Sequence, residues 1–88
     1  MSARNALEIE VLPDDPEVNL DEIIEKIKQK LPKYARLESY RKEPFVYGMY
    51  KLRILVTVPE REGIADEIEK IISEIEGVSA EVVSISRI

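Results

Sequence analysis

Cysteine, histidine and tryptophan are all missing from this 88-residue chain, and glycine occurs only three times. Without cysteine there is no disulfide framework and no thiol nucleophile, and a reducing, cytoplasmic setting is the expectation. Without histidine the commonest general base and a principal transition-metal ligand are gone. The phosphate-cradling patterns G-x-x-x-x-G-K-[ST] and G-x-G-x-x-G do not occur, so a nucleotide cofactor is not expected. No apolar run approaches the ~18 residues of a membrane span, and Met1 to Asn5 lacks the apolar core of a secretory leader. Carboxylates remain, but Asp14, Asp15 and Glu17 fit turn chemistry and the glutamates of the helices fit a solvated face. These absences predict a protein that binds rather than one that makes bonds, with no metal and no cofactor.

What is present is a charged, aliphatic domain: 44% hydrophobic and 35% charged residues, with a pI near 4.8. Residues 1–88 are expected to form one domain, residues 1–5 being disordered. The formal charge is −7 over residues 1–25, +7 over 26–53 and −5 over 54–88, together the −5 of the chain. A basic middle between acidic ends argues against a bare nucleic-acid binder, whose domain pI usually exceeds ~9.

Three of the five aromatics fall between Glu43 and Pro59, and this stretch carries the longest β-type alternation. Gly48, Tyr50, Leu52, Ile54, Val56 and Val58 form one set and Met49, Lys51, Arg53, Leu55 and Thr57 the other, which predicts a half-buried central strand ended by Pro59. Pro44 and Gly48 bracket Phe45, Val46 and Tyr47, so the two aromatics, Phe45 and Tyr47, are expected to turn outward. Before it, Ala6 to Leu12 reads as a strand closed by a turn over Pro13 to Pro16. Asn19 is a helix N-cap, Leu20, Ile23, Ile24, Ile27 and Leu31 share one helical face, and Pro32 is the stop. Tyr34 to Lys42 alternates only loosely and is expected to be an edge strand.

Beyond the central strand, Ile64, Ile68, Ile71, Ile72 and Ile75 predict a second helix running to Gly77. Its solvent face is expected to carry Asp66, Glu67, Glu69, Lys70 and Glu74. Val78 to Ile88 reads as a last strand with a slip near Val82 and Val83. The order strand, helix, strand, strand, helix, strand predicts an α+β ferredoxin-like βαββαβ sandwich, a four-stranded antiparallel sheet with both helices on one face. Its core should contain Ile23, Ile27, Ile54, Val56, Ile68 and Ile72. This order hosts many functions. An RNA-binding reading needs exposed aromatics on two central strands, where the first offers Glu8 and Glu10. A small-ligand regulatory reading of ACT type wants a glycine-bearing first turn, where Pro13 to Pro16 has none.

The stretch Glu43 to Ile54, with its Pro44, Tyr47, Gly48, Lys51 and Leu52, together with the Leu12–Pro13 turn and the ending Ser86, Arg87, Ile88, resembles the elongation factor 1-beta family in its short archaeal form. The resemblance covers nearly the whole chain from Leu7. It implies the ferredoxin-like fold and a guanine nucleotide exchange factor for the GTPase that delivers aminoacyl-tRNA to the ribosome, elongation factor 1-alpha, with no direct contact to nucleic acid or membrane. In the family's eukaryotic members a basic side chain at the penultimate position enters the magnesium site of the GTPase, and an aromatic before the glycine packs near its phosphate loop. The resemblance transfers these roles to Arg87 and Tyr47, with Phe45, Gly48, Lys51 and Ile88 as further partner-binding residues. In those eukaryotic members the basic residue is typically lysine; here it is a planar, bulkier arginine.

Overall fold

The computed structural model describes residues 3–88. The elements are strand β1 (Arg4–Pro13), helix α1 (Leu20–Lys30), strands β2 (Arg36–Pro44) and β3 (Tyr50–Pro59), helix α2 (Ile64–Ser73) and strand β4 (Val78–Arg87). They form a ferredoxin-like sandwich. All pairings are antiparallel in the order β2-β3-β1-β4, so β1 and β3 are central and β2 is an edge, as the charges on it predict.

Alternation decides the layers. Leu7, Ile9 and Val11 of β1 and Leu52, Ile54, Val56 and Val58 of β3 are buried under the helices, where they meet Ile23, Ile24 and Ile27 of α1 and Ile64, Ile68 and Ile72 of α2. All six expected core residues are among them. Asn19 caps α1, its side-chain oxygen accepting from the N–H groups of Asp21 at 3.0 Å and Glu22 at 3.3 Å, which satisfies donors the helix itself cannot.

The other face of the sheet carries a ladder of opposite charges. Glu10 accepts from Lys51 at 3.0 Å and from Arg53 at 3.0 Å, Arg53 also reaches Glu8 at 3.2 Å, and Arg41 pairs with Glu43 at 2.7 Å. Neighbouring strands at this spacing bring unlike charges into register across the sheet.

Several boundaries differ from those read in the sequence. Strand β1 starts at Arg4, so Arg4 and Asn5 are ordered; Met1 and Ser2 lie outside the described residues. The reason is the Arg4 guanidinium, whose Nη2 donates to the carbonyls of Thr57 at 2.9 Å and Tyr34 at 3.1 Å. Tyr34 lies in the turn before β2 rather than in the strand, the turn being closed by the Ala35 N–H, which donates to the Pro32 carbonyl at 3.0 Å. Gly48 belongs to a tight turn, Val46–Gly48, and Tyr50, first in β3, is exposed. Helix α2 ends at Ser73, and Gly77, with φ of 96°, serves the turn that leads into β4.

Both edge strands are irregular. In β4 the register shifts so that Val82 faces Ile9 and Ser84 faces Glu8, leaving Val83 as the extra residue where the slip is expected. In β2 the pairing jumps from Leu37 to Ser39. The displaced Glu38 accepts from Thr57 Oγ1 at 2.7 Å, and this bulge is why the alternation there is loose.

Candidate functional site: two opposite tips of the sheet

The connection between β2 and β3 forms one tip. The Phe45 N–H donates to the Met49 carbonyl at 2.7 Å, and the Met49 N–H donates to the Val46 carbonyl at 2.9 Å. Closing so tight a loop drives two successive residues into the left-handed region, Tyr47 at φ 53° and ψ 39° and Gly48 at φ 76°. Glycine adopts that conformation freely; a tyrosine there is strained. The Tyr47 side chain is 97% exposed. A large aromatic held in a strained conformation with its ring in solvent does nothing for the core, and this combination makes the loop a candidate contact surface.

Beside this loop the β1–α1 connection contributes Pro13, Pro16 and Val18 to a shallow cleft shared with Met49 and Tyr50. Phe45 is half-buried, with the Lys51 ammonium 5.9 Å from its ring centroid. Lys51 turns onto the open face and is held by Glu10. It therefore joins the tip to the charge ladder rather than reaching out on its own.

The opposite tip is built from chain segments distant in sequence. Strands β3 and β4 both run antiparallel to β1, hence parallel to each other, and finish at the same end. There the Ile88 N–H donates to the Arg4 carbonyl at 3.0 Å and the Glu60 N–H to the Ala3 carbonyl at 3.0 Å. The Arg87 guanidinium pairs with Glu60, whose charge and hydrogen bond raise its already high pKa further. Arg87 is not the partnerless chain end that its position in the sequence implies, although its side chain remains 70% exposed. Ile85 and Ile88 lie open beside it.

The six sequence-predicted residues thus fall into two groups. Phe45, Tyr47, Gly48 and Lys51 gather at one tip, and Arg87 and Ile88 at the other. The ten-residue strand β1 runs between them, a span of about 30 Å at ~3.3 Å per residue, in a molecule 44 Å long. Glu60 is the residue the sequence reading passed over, as part of a connector. Strand direction puts the residue after β3 at the same end of the sheet as the end of β4, with β1 between them, but does not single out the pair.

Residues 6–88 match the family model described as the EF-1 guanine nucleotide exchange domain. The chain belongs to that family. The match takes in β1 almost whole, all the remaining elements and both tips. Similar proteins include the elongation factor 1-beta of Hyperthermus butylicus, 42% identical over 80 residues that span 89% of this chain and 87% of that protein. Those of Saccharolobus islandicus and Pyrococcus abyssi are each 43% identical over 82 residues, spanning 91% of this chain and 90% of theirs. Membership makes this a guanine nucleotide exchange domain, and the open sheet face agrees. Where an RNA-binding domain of this topology stacks bases on aromatics, this family member presents Glu8, Glu10, Lys51 and Arg53 paired with one another.

Proposed function

We propose that this chain promotes GDP release, and so exchange for GTP, on the elongation factor 1-alpha GTPase that delivers aminoacyl-tRNA to the ribosome. It acts as a binder and makes no bond. The observation that carries the reading is the family match over residues 6–88, and the chemistry at the two tips suits it. A guanidinium inserted at the magnesium site competes with the ion for its carboxylate ligands. Loss of the ion then removes the bridge between nucleotide phosphates and protein.

The distance between the tips revises one expectation. A magnesium ion and a phosphate loop touch the same few phosphate oxygens, whereas Arg87 and Tyr47 stand about 30 Å apart. One residue alone acts at that site. We assign it to Arg87, the cation, and assign Tyr47 to a separate docking contact on the GTPase, where a large exposed aromatic removes much apolar surface from water.

The test is release of labelled GDP from the cognate GTPase. Arg87→Ala is expected to slow catalysed release sharply at any concentration of the factor. Tyr47→Ala is expected to raise the concentration needed for half-maximal exchange while leaving the saturated rate nearly intact. Added Mg2+ should inhibit the intact chain by competition. Full exchange activity in Arg87→Ala would overturn the assignment of the cation.

A further inference from the structure

Glu60 and Arg87 lie 27 positions apart, and the fold alone makes them neighbours. Glu60 begins from a fixed place, because its N–H is held by the Ala3 carbonyl. Its carboxylate takes Arg87 by one nitrogen: Nη2 donates to both oxygens, at 2.5 Å to Oε2. A guanidinium carries five N–H donors in a planar fork. Gripping it through Nη2 engages the nitrogen common to both two-donor edges of the fork but leaves the N–H groups of Nη1 open, so Arg87 can meet another oxyanion through Nη1 without leaving the first.

This arrangement differs from a latch, in which Nη1 too would be taken and the pair would have to break before Arg87 acted. It also answers a difficulty of the chain end. A long exposed side chain on the last strand samples many rotamers, and each must be given up on docking. A side chain already restrained loses fewer.

We propose that Glu60 is a positioning residue for exchange, holding the Arg87 guanidinium by Nη2 so that its Nη1 is presented to an oxyanion in the nucleotide site of the GTPase. The inference rests on the role assigned to Arg87 above. Glu60 touches neither nucleotide nor metal; it acts through Arg87.

The experiment compares labelled-GDP release by the intact chain, Glu60→Ala, Glu60→Asp, Arg87→Ala and the double variant, together with the nitrogen-15 NMR signal of the Arg87 Nε–H. An exposed ion pair sets the scale, so Glu60→Ala should weaken exchange by about two- to fivefold. Glu60→Asp should restore part of it, and the double variant should be no slower than Arg87→Ala alone, because the two residues act as one unit. The Arg87 Nε–H signal should broaden in Glu60→Ala while the unfolding midpoint stays in place. Faster release by Glu60→Ala would identify a latch and overturn the proposal, as would unchanged release or additive losses in the double variant. Slow release by Arg87→Ala with normal release by Glu60→Ala removes this inference alone. Normal release by Arg87→Ala removes the underlying assignment and this inference with it.

Discussion

Tyr47 shows how one residue can trade stability for an exposed position. Its φ of 53° is a conformation that glycine adopts freely and tyrosine only with strain, and its ring makes no return through burial. Tyr47→Gly should therefore stabilise the fold by about 1 kcal/mol, raising the midpoint in a thermal melt by roughly 4 to 8 °C, while the same variant binds the GTPase less tightly. A melt that moves downward would mean the ring supports the loop rather than the partner. The bracketing of Phe45 to Tyr47 by Pro44 and Gly48 makes the outward turn of Tyr47 legible in the sequence, whereas Phe45, expected to turn outward with it, is half-buried. The left-handed φ at Tyr47 is not legible, because it follows from the register in which β2 and β3 close their loop. Arg87 illustrates a second limit: its place at the end of the chain was readable, its partner was not. Because that ion pair is exposed, Arg87→Ala should leave the unfolding midpoint almost where it is even as exchange fails.

At the scale of elements, aliphatic periodicity was the most legible signal. Isoleucines three and four apart place Ile68 and Ile72 on the buried face of α2, and both are fully buried. Ile72→Ala should cost ~2 to 5 kcal/mol in a denaturant titration, a large share of the ~5 to 10 kcal/mol that holds a domain of this size. An unmoved midpoint would mean the core lies elsewhere. Glu69, read in the sequence as one of several solvent-facing acids, has a different position in the structure. Its carboxylate accepts from the backbone N–H of Val82 at 2.8 Å, and one turn on, Ser73 Oγ accepts from the Ala80 N–H at 3.3 Å. Helix α2 thus covers the outer edge of β4 with side chains, a protection that open edges need. Glu69→Ala should cost about 1 kcal/mol and make the protein more prone to associate through β4, visible in light scattering at high concentration. Periodicity alone does not reveal such a contact, since it tells which face a residue occupies and not which backbone group lies beneath that face.

For the whole molecule, the order of strands and helices was sufficient to give the topology, and the topology separates the tips. Once β1 is paired antiparallel to both β3 and β4, the β2–β3 turn and the end of β4 must lie at opposite ends, so the revision of the Tyr47 role was implicit in the fold expected from sequence. What the order of elements could not supply was the side-chain geometry at each tip. The pairing of the first and last strands of the chain has a further consequence. Ile88 and Arg4 are hydrogen-bonded neighbours, so residue 88 can be joined back to residue 1 through a short peptide to close the chain into a ring, or the chain can be permuted by opening it in the exposed β1–α1 connection. A ring has fewer unfolded conformations and should melt at a higher temperature than the linear chain. It also turns Arg87 from a near-terminal residue into an interior one without moving it in the sheet, so a ring that still accelerates GDP release would locate the activity in the place of the guanidinium and not in the freedom of a chain end.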